Sequence, residues 1–223
     1  FEGPFGEFTG YRASPRDKRP VIRVKAVTYR NDPILTMSCM GVPVDHCHAP
    51  QSVTSGGELL VELKRKGIPV RDLAIYPECA LFLTVVSVKP PFAGIAEKIA
   101  HAIWGMEGMA AGPYLLIVED DVDVHNIWQV LHAFFSKCHP YRGIQRLEHT
   151  QGSSLWPFLT RHERLNRLGS KAYFDATWPL DWDPSIAVPP KASFDNIYSK
   201  ETQEHVLKNW KNYGYKVGIP EKK

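Results

Sequence analysis

With 43% hydrophobic and 23% charged residues in 223, the chain has the material for a sizeable buried core: one large domain, or one domain with an appendage. A formal net charge of +3, with no basic run beyond Lys64-Arg65-Lys66, excludes the strongly basic balance of a nucleic-acid binder. No apolar run is long enough to span a bilayer or to serve as a signal peptide. The four cysteines, Cys39, Cys47, Cys79 and Cys138, have neither finger-like spacing nor the density of a disulfide scaffold, so a reducing cytoplasm is the default expectation.

The first eleven residues, Phe1-Glu2-Gly3-Pro4-Phe5-Gly6-Glu7-Phe8-Thr9-Gly10-Tyr11, place two carboxylates five positions apart. Gly3, Pro4 and Gly6 forbid a helix there, so the pair can converge while the backbone approaches a ligand. A solvated surface loop with two acids is the plainer reading of the spacing alone. Val21 to Val27 alternates with period two and predicts a strand. A short apolar segment, Ile34 to Met37, precedes the break at Gly41-Val42-Pro43. Asp45-His46-Cys47-His48 has the residue types of a transition-metal site. No second ligand cluster with finger-like spacing follows it, however.

Leu59, Leu60 and Leu63 mark a helix from Gly57 to Lys66, stopped by Gly67. Leu81 to Val88 predicts a strand ended by Pro90-Pro91, and Ala93 to Met109 a second helix on Ile95, Ile99, Ala102 and Ile103. Tyr114 to Val118 is an uninterrupted apolar run of the kind buried in a parallel sheet. It leads into Glu119-Asp120-Asp121-Val122-Asp123 and a helix to Lys137, capped by Asn126 or Asp123. Four acids at the carboxyl end of a strand are also where a doubly wound sheet binds Mg²⁺ or a phosphorylated ligand. No phosphate-loop glycine pattern accompanies them. Lys171 to Thr177 predicts a further strand, and Trp178 to Pro190 a surface connector. Ser199 caps a last amphipathic helix with a Val206, Leu207 and Trp210 stripe, closed by Gly214.

Taken whole, Glu-Gly-Pro-Phe-Gly-Glu followed by Gly-Tyr resembles the signature of the UbiD family, the (de)carboxylases that use prenylated FMN. The resemblance implies an α/β fold: the last strands of a split β-barrel flavin-binding domain over residues 1–32, a C-terminal α/β domain over 33–190, and a tail over 191–223. In the family two glutamates and an arginine form the catalytic network, which makes Glu2 the network acid and Glu7 the proton donor. The arginine precedes the motif in the family, as do the cofactor-bridging metal and K⁺ sites. The chain is accordingly expected to be the C-terminal part of a longer protein, inactive by itself.

The family's Gly-x-x-x-Asp-Glu-x-His segment matches Gly41, Asp45 and His48, with His46 in place of the glutamate, and implies pocket wall or loop structure there. Ferulic and cinnamic acid decarboxylases are the most similar subgroup over this region. Gln51 and Ser153 then stand where that subgroup has apolar substrate-facing residues, while Leu155 keeps its pattern. Such a pocket is expected to prefer a polar aromatic or α,β-unsaturated acid. Glu107 stands near the position where the family tends to place a cation for the cofactor phosphate; Lys98 or Lys89 is the candidate substitute. The tail helix implies a homodimer or higher oligomer. The competing expectation is a non-catalytic fragment or assembly subunit of a carboxylase complex.

Overall fold

The computed structural model describes residues 1–12, 16–106 and 112–215. Two compact units result, Phe1–Pro179 and Leu180–Lys223. In the first, helix α1 (His48–Arg65) buries His48, Ser52, Gly56, Leu59 and Leu63, a 3.6-period stripe along one face. Lys64 and Arg65 in its last turn suit the negative end of the helix dipole. Gly67, at φ +71°, then turns the chain into β1 (Val70–Ile75).

After a 3-10 turn at Pro77–Cys79 come β2 (Leu83–Val88), α2 (Ile95–Trp104), β3 (Tyr114–Glu119), α3 (Ile127–Lys137), β4 (Ile144–Gln151), α4 (Arg161–Asn166) and β5 (Leu168–Ala176). The sheet order is β1-β2-β3-β5-β4. Strands β2, β3 and β5 run parallel, whereas β1 and β4 close the two edges in antiparallel sense. Alternate residues of β2 and β3 serve different cores. Val86, Val88, Leu115 and Ile117 pack with Leu59 and Leu63 of α1 and Ile95, Ile99 and Ile103 of α2. Val85, Leu116 and Val118 pack with Val130 and Ala133 of α3. The result is a three-layer α/β/α sandwich whose central strands are buried on both faces.

The second unit holds α5 (Phe194–Ile197) and α6 (Lys200–Lys208). Ser199 caps α6 by accepting from the Thr202 N–H, as expected. The buried Gln203 amide donates to the carbonyls of Asp195 and Tyr198, tying α6 to α5.

The predicted strand at Val21 to Val27 is corrected by the structure. It joins no ladder with any described residue, and its side chains stand in solvent, Val21 93% and Ile22 87% exposed. Period-two alternation suits a pleated strand, but the neighbour that would pair it has to come from elsewhere, and this chain's sheet is closed by β1 and β4. Helix α1 begins nine residues before the expected Gly57, and α2 ends at Trp104. The expected continuation of α2, with Glu107, falls partly among residues 107–111, outside the described residues.

Ile99 is fully buried between α2 and the sheet. Ile99→Ala is expected to lower unfolding free energy by about 2–5 kcal/mol, read from denaturant titration.

Candidate active site

Glycine-rich sequence and two short backbone bridges make the motif a hairpin. Glu2 and Asp17 exchange N–H···O bonds of 2.8 and 3.0 Å, and Gly6 bridges Arg12. The tip is closed by Gly10 N–H donating to the Glu7 carbonyl at 2.9 Å and Glu7 N–H donating to the Tyr11 carbonyl at 3.1 Å. Gly10 has φ +81°, and a Cβ there would lie 3.2 Å from Val42 Cα, so this position requires glycine and lays the turn on the segment before α1. Glu2 is exposed, with Arg19 Nε 3.6 Å from its carboxylate. Glu7 is half-buried, and its carboxyl group makes no hydrogen bond or ion pair with a described residue.

The turn is fastened to the sandwich at Phe8. Its carbonyl accepts a 2.5 Å bond from Nε2 of the fully buried His48. His48 Nδ1 lies 2.8 Å from Asp45 Oδ1 and 3.3 Å from the Asp45 N–H. Asp45 in turn accepts from the N–H groups of Cys47 (2.7 Å), His48 (3.2 Å) and Gly41 (3.2 Å), which makes it the cap of α1. Burial opposes its charged form, but these N–H groups and the His48 ring outweigh burial and bring its pKa from 3.8 to about 2. The Phe8 ring meets Phe82 edge-on at 6.1 Å, and Phe82 meets Trp156 and Phe158 at 6.2 and 6.0 Å. All of this lies at the starting ends of β2, β3 and β5.

Gln51 sits in the first turn of α1, exposed, three residues from His48. Ser153 and Leu155 are half-buried; the Ser153 hydroxyl accepts from the Leu155 N–H at 3.2 Å. Their segment is pinned where Gly152 and Gly169 touch: a Cβ on Gly169 would come within 2.9 Å of Gly152 Cα and of the Trp156 ring. The structure therefore connects the 153–155 segment and α1 to the motif turn through Trp156, Phe82 and His48. No hydrogen bond joins Gln51, Ser153 or Leu155 directly to Glu2 or Glu7. Sequence reasoning missed His48 as the link. Its signal was Asp45-x-x-His48, a cap spacing directly ahead of a helix.

The metal-like residues are otherwise engaged. His46 Nε2 accepts from the Cys39 N–H at 3.1 Å, and Cys47 Sγ lies 2.8 Å from Ser38 Oγ. Among the described residues no group of three or more His, Cys, Asp or Glu is placed to hold a metal ion. The acidic run lies at the opposite end of the sheet and is partnered. Lys137 bonds Glu119 and lies 3.7 Å from Asp121, while Arg71 donates to the Asp120 carbonyl at 2.6 Å. Asp123 accepts from the His125 N–H at 2.9 Å, a loop role. Lys98, a candidate phosphate cation, lies over the Phe92 ring.

The fold is similar to that of UbiD-class decarboxylases. The chain belongs to the 3-octaprenyl-4-hydroxybenzoate carboxy-lyase (UbiD) family: residues 51–176 match its C-terminal domain and residues 1–43 its Rift-related domain. Over 222 residues it is 24% identical to the pyrrole-2-carboxylic acid decarboxylase of Pseudomonas aeruginosa, covering 96% of this chain and 45% of that protein. Its fold is similar to the closed form of Sedimentibacter hydroxybenzoicus vanillic acid decarboxylase, with TM-score 0.75, 24% identity and coverage of 94% and 42% of the two chains. The UbiD-class enzyme HmfF from Pelotomaculum thermopropionicum, in complex with FMN, gives TM-score 0.68 at 22% identity, covering 94% and 43%. The chain thus spans less than half the length of these relatives. No helix among the described residues is long and apolar enough to cross a membrane.

Asp45 generates a prediction with a definite sign. Its folded pKa lies below its ordinary value, so its contribution to stability is present above about pH 4 and is lost as pH falls toward 2. Asp45→Asn is expected to destabilise the protein at pH 7 and to flatten the acid limb of its stability curve. Unfolding measured from pH 2 to 7 checks this, and an equal loss at every pH contradicts it.

Proposed function

We propose that the complete protein carries out the reversible, non-oxidative decarboxylation of an aromatic or α,β-unsaturated carboxylic acid with prenylated FMN. The observation that carries this reading is the Glu7 carboxyl group, half-buried and without a hydrogen-bond or ion-pair partner among the described residues, on a turn held against the α/β sandwich at Phe8. A donor with no fixed ion-pair partner is free to take and release a proton at a substrate carbon.

The described residues fit such a flavin in part. Glu2, Glu7 and the glycine edge at Gly3 and Gly6 supply acid–base groups and a backbone that a flat ring system can approach. The basic side chains that contact the motif, Arg16, Lys18 and Arg19, are exposed and lie over the Phe1 ring or beside Glu2 and Asp17. They do not form a buried phosphate anchor. When bound, the cofactor supplies the electron sink for the pair released as CO₂ leaves. Glu2 holds charge at the base of the hairpin, and Glu7 delivers the proton to the carbon that CO₂ has left. The exposed apolar side chains of Val21, Ile22, Val24 and Val27 support a place for residues 1–32 at the end of a split barrel. The half-buried Val206 and Leu207 of the tail helix, with Trp210 just beyond its end, support a homodimer.

For the substrate, Gln51, exposed in this chain, and the half-buried Ser153 favour a ring bearing a heteroatom or hydroxyl over a plain cinnamate-type acid, because an amide or hydroxyl that a bound ring covers without matching is costly. The pyrrole-2-carboxylic acid decarboxylase among the relatives supports this choice.

In the complete flavin-loaded enzyme, Glu7→Gln is expected to abolish turnover while the flavin stays bound, read by CO₂ release and absorbance. Substantial residual turnover removes Glu7 from the donor role. In a substrate panel, pyrrole-2-carboxylate is expected to exceed cinnamate in kcat/KM by about tenfold or more, and Gln51→Leu to narrow that gap. Cinnamate outperforming every polar aromatic acid contradicts the pocket assignment.

A further inference from the structure

We infer that Asp45 and His48 form a strut that positions the Glu7-bearing turn, acting through the Phe8 carbonyl. The inference rests on the reading of Glu7 as the proton donor and adds to it two residues that never touch the substrate.

His48 is fully buried, its ring 6.5 Å from that of Phe8, and a buried imidazole is costly unless its nitrogens are bonded. Both are. A carbonyl only accepts, so the 2.5 Å contact with Phe8 requires the proton on Nε2, and Nδ1 is held at Asp45. The bond spans 40 residues of sequence and joins the hairpin to the helix. Packing alone would be served by an apolar side chain here; the two directed bonds call for histidine.

The strut is stiff at its base. The Asp45 carboxylate is fixed by the N–H groups of Gly41, Cys47 and His48, and it cannot move without uncapping α1. Helix α1 is itself anchored by Leu59 and Leu63 in the core. At the far end, the turn is closed by the two backbone bonds of Glu7 with Gly10 and Tyr11. The Glu7 side chain makes no bond with a described residue, so its direction is set by the backbone that Phe8 shares with it. A displacement of about 1 Å at a reacting group costs about a hundredfold in rate.

The test compares two amides that differ by one methylene and by where they place the N–H, in the complete, flavin-loaded enzyme. His48→Gln keeps an N–H donor near the Nε2 position, whereas His48→Asn keeps one near Nδ1 and leaves the Phe8 carbonyl without it. For His48→Asn, amide hydrogen exchange at Glu7 and Gly10 is expected to rise about tenfold or more. Its kcat should fall about a hundredfold, with KM within about twofold and flavin content unchanged. His48→Gln is expected to stay within about threefold of the parent in exchange and kcat.

Unchanged exchange in His48→Asn, or equal losses in both variants, overturns the strut. Faster exchange with undiminished kcat, while Glu7→Gln is inactive, overturns the positioning role and leaves the donor assignment standing. Turnover that survives Glu7→Gln removes the donor assignment, and the positioning role with it. A measurement on the unaltered enzyme needs no variant to fold: the His48 Nε2 proton is expected as an exchange-protected imidazole N–H resonance, and its absence overturns the strut.

Discussion

Everything near the candidate site depends on one hydrogen bond, from the buried His48 ring to the Phe8 carbonyl. On one side of it lies a hairpin of glycines and two acids whose own bonds are few. On the other lies a helix fixed in a large apolar core. A glycine-rich turn pays a high entropic cost to hold one shape, and the fixed partner at Phe8 offsets part of that cost. The edge-on contact of Phe8 with Phe82 continues the link to Trp156, so one residue of the motif touches α1 directly and reaches the segment beside Trp156 through Phe82.

The sheet places this junction at the starting ends of its parallel strands. Ligands of doubly wound sheets gather instead outside the carboxyl ends, where a topological switch opens a crevice. Here that end is filled: Lys137 lies between Glu119 and Asp121, and Arg71 reaches the Asp120 carbonyl. In the proposed reading the α/β unit is the support for chemistry carried on a neighbouring hairpin. The crossover-free β1 and β4 edges close the sheet and leave the Val21 to Val27 run without a partner in it.

Much of the sandwich was legible in the sequence because β2, β3, α2 and α3 carry strong apolar periodicity. Less legible were β4 and the start of α1. Strand β4, Ile144–Gln151, is polar through Gln145, Arg146, Glu148 and His149 and shows no buried face, so its pairing with β5 decides its structure. Gly56-Gly57 reads as a break, yet Gly56 lies inside α1 because it brings the helix close to Leu73 and Ile75 of β1. With the helix expected to start at Gly57, Asp45 and His48 looked like loop or metal residues, and their capping role was hidden. Glu2 and Glu7 stand out as candidates in the motif string itself; that Arg19 reaches Glu2 does not, because an ion pair across a hairpin leaves no pattern in the sequence.

In the proposed reading this chain is the acid–base and scaffold part of a flavin-dependent decarboxylase. The most direct test is an absorbance spectrum of the complete protein, purified from cells able to make prenylated FMN, followed by addition of pyrrole-2-carboxylate while CO₂ is measured. A flavin-like band together with CO₂ release is the result predicted here. A colourless protein of full length that releases no CO₂ from any aromatic or unsaturated acid would contradict it, and would point to a non-catalytic partner in a carboxylase assembly.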